Sequence, residues 1–127
     1  WAWHVKESRE EGQSEARIYL TVRGTIWEPY IHDVVSPEEA KLVISKQRAF
    51  IRAYQKKSPE VEGVPEELLR KIVDHGVSAS PVAEIDREIE RLREFERAGL
   101  NEIALCLYGS PAESIRIIGE KVIPALA

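Results

Sequence analysis

The chain has no methionine, a single cysteine and no long apolar run. One thiol, Cys106, excludes an intramolecular disulfide and suits a reducing compartment such as the cytoplasm. No stretch approaches the ~18 consecutive apolar residues that a membrane-spanning helix needs. The opening residues, Trp1, Ala2, Trp3, His4, Val5 and Lys6, lack the apolar core of a signal peptide. Basic residues are not in excess. Eighteen Lys and Arg against 22 Asp and Glu give a net charge of -4, which argues against a nucleic-acid module and against a polybasic membrane anchor. Phosphate-binding loops, dinucleotide fingerprints, His-Glu-x-x-His and Cys-x-x-Cys are all lacking. His4, His32 and His75 lie far apart, and none has a second ligand at helical spacing, so no metal site is expected.

What is present describes a soluble globular chain. It has 127 residues, 43% apolar and 31% charged, which is at most one domain's worth of sequence. With Trp1 at its start and no methionine, the sequence is expected to be part of a longer protein. Residues 1–11 allow a helix ending near Gly12, with Trp1 and Trp3 packed on a neighbour. Residues 17–23 alternate, Ile18, Leu20 and Val22 against Tyr19, Thr21 and Arg23, which predicts a strand stopped at Gly24. Residues 25–35 read as a loop. In it His32 and Asp33 form either an acid–base pair or an ordinary turn.

Ser36, Pro37 and Glu39 make a capping-box start for a helix over 37 to about 56. A charged linker at 58–64 offers a subdivision into 1–57 and 65–127. Pro65 opens a short helix with Leu68, Leu69, Ile72 and Val73 on one face, closed by Asp74, His75 and Gly76. Residues 77–80 allow a brief strand. Pro81 then opens a helix to about Ala98, with Val82, Ile85, Ile89, Leu92 and Phe95 inward. Glu88/Arg91, Glu90/Arg93 and Glu94/Arg97 lie at i,i+3 on a solvated face. Gly99 is the left-handed stop. Residues 103–108 are apolar on both faces, as in a covered parallel strand, and Cys106 within them is expected to be buried and unreactive. Ser110 and Pro111 repeat the cap-and-box start. Ile115, Ile118, Val122 and Leu126 of the last helix are expected to face inward.

Strands alternating with helices predict an α/β fold with two or three parallel strands and flanking helices. Such a sheet leaves one face and its edges bare, so the chain is expected to associate as a homo-oligomer, most simply a symmetric dimer. Functional groups of α/β proteins gather at the carboxyl ends of parallel strands. Here those points are Ser78 and Ser80 after the first short strand, and Tyr108, Gly109 and Ser110 after the second. Gly109 permits close backbone approach and Tyr108 offers a ring for stacking. Ser80 and Ser110 as simple caps, and Gly109 as a simple turn, explain the same residues without a ligand. No residue stands out as catalytic.

The run from Glu88 to Leu126 is a helix, the Ala98-Gly99 stop, the strand 103–108, the Gly109-Ser110-Pro111 turn and a helix containing Ile118-Gly119-Glu120-Lys121-Val122-Ile123-Pro124. It resembles the carboxyl-terminal unit of the luciferase-like flavin- or F420-dependent oxidoreductases, in particular the methylene-tetrahydromethanopterin reductase branch. The agreement covers residues 74–126, and is looser over 16–56. The resemblance implies the carboxyl-terminal portion of a (β/α)8 TIM barrel. It also implies FMN or F420 as cofactor, hydride transfer or monooxygenation of a small-molecule substrate, and little activity for this portion alone. The alternative is a noncatalytic α/β association module that dimerises through its exposed sheet.

Overall fold

The structure is a computed structural model that describes residues 1–127. It is mostly helical, and no helix is long and apolar enough to cross a membrane. The chain divides into two compact units, one formed by Trp1–Gly12 with Val77–Ala127 and the other by Gln13–Gly76. Residues 58–64 lie within the second unit.

The first unit is built around an extended segment at residues 1–6. Its strand β1 (Ala2–Trp3) pairs in parallel with β2 (Cys106–Leu107), Ala2 opposite Cys106 and Trp3 opposite Leu107. On its other side Trp3 bridges Ser78 and Lys6 bridges Pro81, both in parallel. Three backbone hydrogen bonds secure that side: His4 N–H to Ser78 O at 2.6 Å, Ser78 N–H to Ala2 O at 3.0 Å and Val82 N–H to Lys6 O at 2.8 Å. Residues 1–6 are therefore the middle of three parallel segments.

Alternation along this segment sorts its side chains. Trp3 and Val5 enter a core with Ile89 and Leu92 of α6 (Ile85–Arg97), Ile117 of α7 (Pro111–Ile117) and Val122 of the π-helical turn that follows. Ala2, His4 and Lys6 take the opposite face and are also buried. Helix α1 (Arg9–Ile18) approaches there through Gly12, where an added Cβ would lie 2.6 Å from the His4 carbonyl oxygen and 3.0 Å from that of Ala79. Only hydrogen fits in that space.

The second unit is helical: α2 (Ile31–Val34), α3 (Pro37–Ser45), α4 (Gln47–Lys56) and α5 (Glu66–Gly76), with 3-10 turns at Leu20–Val22 and Gly24–Ile26. The capping box is present. Glu39 N–H donates to Ser36 Oγ at 3.3 Å, and Ser36 N–H donates to Glu39 Oε2 at 2.8 Å. Lys71 Nζ reaches the same Glu39 oxygen at 2.7 Å. The Lys71 hydrogen bond, and then the Ser36 amide, hold the Glu39 carboxyl below its ordinary pKa. Leu68, Leu69, Ile72 and Val73 of α5 are buried as their spacing predicts.

These findings correct the expected fold. The chain is not the end of a (β/α)8 barrel with flanking helices, because its sheet has two strands of two residues each in a mostly helical chain. The predicted strand at 17–23 is the end of α1 and a 3-10 turn. Its alternation does not match burial: Leu20 is fully buried while Val22 is 52% exposed. Gln13, Ala16 and Leu20 are all buried, and their i, i+3, i+7 spacing is that of a helix. The predicted helix at 1–11 begins only at Arg9, because Trp3 and Val5 fit a period of two.

The helix expected over 37–56 breaks at Lys46 into α3 and α4. Residues 103–108 are not covered on both faces, and Cys106 is exposed at the sheet edge. Ser110 makes no side-chain cap. In the last helix, Ile117 and Val122 are buried, while Ile115 is 60% and Leu126 40% exposed. Ile115 lies outside the α7 face marked by Ser114 and Ile117, and the π-helical turn at Ile118–Val122 shifts the phase of the residues after it, since its wider turn breaks the 3.6-residue period. Glu88 is not on a solvated face but buried.

Candidate functional site

The carboxyl ends of the three parallel segments of the first unit bring together Lys6, Ser80 and the turn at 108–110. Lys6 Nζ donates to the Tyr108 carbonyl oxygen at 3.3 Å. One residue pair behind it, the His4 imidazole stacks on the Tyr108 ring, with centroids 4.8 Å apart and planes 16° apart. The Cys106 thiol donates to the Tyr108 hydroxyl at 3.4 Å. Register explains the grouping. Ala2 pairs with Cys106 in parallel, so His4 and Tyr108 follow two residues later on the same face. Gly109 has φ of 67°, the left-handed region that favours glycine, and it turns the chain toward α7. Gly109 and Ser110 are exposed and Tyr108 is half-buried.

The two serines on the other flank are occupied. Ser78 Oγ accepts from the Trp1 indole N–H at 2.8 Å. Ser80 donates to Glu88 Oε1 twice, from its hydroxyl at 2.6 Å and from its amide at 3.2 Å. Glu88 Oε2 accepts from Arg91 at 3.3 Å, and the same Arg91 nitrogen donates to the Val77 carbonyl at 2.7 Å. The Arg91 guanidinium also lies 5.7 Å from the Trp1 ring centroid, and Trp1 meets Phe95 edge-on at 5.1 Å. A buried carboxylate so bonded is fully engaged in structure.

The five residues predicted from sequence therefore separate. Tyr108, Gly109 and Ser110 form an accessible turn, whereas Ser78 and Ser80 are buried and saturated. Sequence reasoning missed Lys6 and His4. The signal for them was the alternation of Trp1, Trp3 and Val5 with Ala2, His4 and Lys6, which marks a strand covered on both faces. The Glu88/Arg91 pair was visible at i,i+3 spacing, but its burial was not.

A phosphate-bearing flavin or deazaflavin needs a cation or N–H donors for its phosphate and a planar surface for its ring. Lys6, buried and already donating to the Tyr108 carbonyl, is a cation beside the exposed Gly109–Ser110 turn, and the Tyr108 ring, stacked on His4, is a planar surface; these match that requirement in kind. Ser78 and Ser80 do not, because their polar atoms already serve Trp1 and Glu88. The chain matches no protein family, no curated protein and no solved structure.

Proposed function

We propose that this chain forms part of a luciferase-like oxidoreductase of the cytoplasm that uses FMN or F420, with Lys6, Tyr108, Gly109 and Ser110 helping to hold the cofactor. The observation that carries this reading is the convergence of the Lys6 ammonium on the Tyr108–Ser110 turn at the carboxyl ends of three parallel segments. The cofactor, when bound, supplies hydride chemistry toward a small-molecule substrate. The residues of this chain bind and orient: Lys6 attracts the phosphate, Gly109 lets backbone approach it, and Tyr108 lies against the ring. No residue of the chain has a catalytic role in this reading.

Titration of the protein with FMN and, separately, with F420, followed by cofactor fluorescence, tests it. One of the two is expected to bind, and Lys6→Ala to weaken it about tenfold, the loss of one charge-assisted contact. Lys6→Arg should retain most of the affinity. Absence of binding by both cofactors, or binding that Lys6→Ala leaves unchanged, defeats the reading.

A further inference from the structure

We propose that the outer edge of residues 103–107 pairs with the same edge of a second copy of this chain, antiparallel, across a twofold axis at Leu105. Ala104 O accepts from the Trp1 amino group at 2.8 Å and Cys106 N–H donates to Trp1 O at 2.8 Å. Leu105 lies between these two bonded residues, so its N–H and C=O point the other way, out of the sheet. No strand covers that side, since the sheet has only the order β1–β2. The opposite margin of the three segments is closed by Arg91 on Val77 O and by Glu88 on Ser80. One open edge remains.

The character of this edge indicates its occupant. Residues 103–107 are Ile, Ala, Leu, Cys and Leu, with no charge, proline or glycine among them. Edges that stay single carry such residues to block pairing. The segment is itself apolar and partly exposed, with Cys106–Leu107 as strand, so a second copy supplies a matching surface. Pairing about Leu105 sets Ile103 against Leu107 of the other copy, and each 103, 105 and 107 position exchanges backbone hydrogen bonds. Glu102 then faces Tyr108 of the other copy and not a second acid. A hollow of about 250 Å³ whose lining mixes apolar side chains, Phe95, Leu100 and Ile103 among them, with the polar Glu96, Asn101 and Glu102 begins where the edge begins. Leu100 is 47% and Ile103 36% exposed beside it, so the patch continues past the backbone edge. This pairing is independent of the cofactor reading.

Light scattering coupled to size-exclusion chromatography tests it, on the full chain and on two variants. Leu105→Pro removes the outward N–H at an edge position, where proline is tolerated. Ile103→Lys places a charge in the apolar patch. The parent is expected to elute at twice 14.4 kDa. Both variants, with unchanged helical circular dichroism, should raise the dimer dissociation constant at least about tenfold. A parent that stays monomeric at about 100 µM overturns the proposal. So does a dimer that a folded Leu105→Pro leaves intact. If Leu105→Pro does not fold, a dimer unaffected by Ile103→Lys overturns it equally.

Discussion

Along residues 77–81 the small sheet ends on side chains, and along residues 103–107 it ends on bare backbone. Helix α6 makes the difference. Glu88 and Arg91, one turn apart, bond Ser80 and Val77. The Val77 carbonyl and the Ser80 amide and hydroxyl are satisfied inside the protein, at the cost of burying a carboxylate that must keep its partners. The other margin buries no charge and keeps Leu105 half-buried, with its amide facing outward. A strand edge can be closed by the chain's own side chains or left for another strand, and this unit does both.

The largest effect is expected where the sealed margin is broken. Glu88→Ala leaves the Ser80 donors and Arg91 without their acceptor and should cost about 3 kcal/mol, read from urea unfolding. A loss below about 1 kcal/mol would mean that water seals the margin as well as the carboxylate does. Gly12→Ala disturbs the middle segment that both margins share. Its Cβ would sit 2.6 Å from a backbone oxygen, which cannot swing away, and a loss of about 2 kcal/mol is expected by the same measurement. Arg91→Ala uncovers Val77 O and removes one Glu88 donor, for about 1.5 kcal/mol. On the bare margin, Leu105→Pro should change the unfolding free energy of the monomer, measured at high dilution, by no more than about 1 kcal/mol.

The smallest effect separates a buried carboxylate from a half-buried one. Lys71→Ala should let the Glu39 pKa rise toward its ordinary value, followed by NMR titration of the Glu39 side chain. Because the folded pKa is depressed, the Glu39 interactions stabilise above the ordinary carboxylate range and are lost as pH falls through the folded pKa. That pH dependence should shrink in Lys71→Ala. An unmoved Glu39 titration would assign the shift to the Ser36 cap alone.

Local signals in the sequence were legible wherever local forces decide. The Ser36 capping box, the α5 stripe from Leu68 to Val73 and the Gly99 stop all depend on neighbours within a turn or two. Ser110 shows the limit of such a signal. It has the same Ser-Pro start as Ser36, but it follows Gly109 at φ 67° and adopts φ -100°, ψ 86°, from which its side chain does not cap the helix. Residues 17–23 failed for a related reason: two periods coexist there, and burial of Gln13, Ala16 and Leu20 favoured the helical one. The candidate site was legible at Tyr108, Gly109 and Ser110. Lys6 and His4 join it only through parallel pairing with distant segments, and Glu88 reaches Ser80 only because α6 folds back along that margin. The alternation along residues 1–6 marks a strand, but nothing in the local pattern says which distant segments pair with it or that Glu88 reaches Ser80.

The middle position of residues 1–6 has a consequence for the order of assembly. Both of their neighbours, 77–81 and 104–108, follow the whole of Gln13–Gly76 in the chain. The unit Gln13–Gly76 is one continuous stretch of chain and can form once Gly76 has left the ribosome. The segment with Trp1 and Trp3 emerges before them, yet its partners are synthesised after them. Its two tryptophans are therefore uncovered until residues 77 onward have been made, and the central strand of the first unit is synthesised before both of its neighbours and placed only after them.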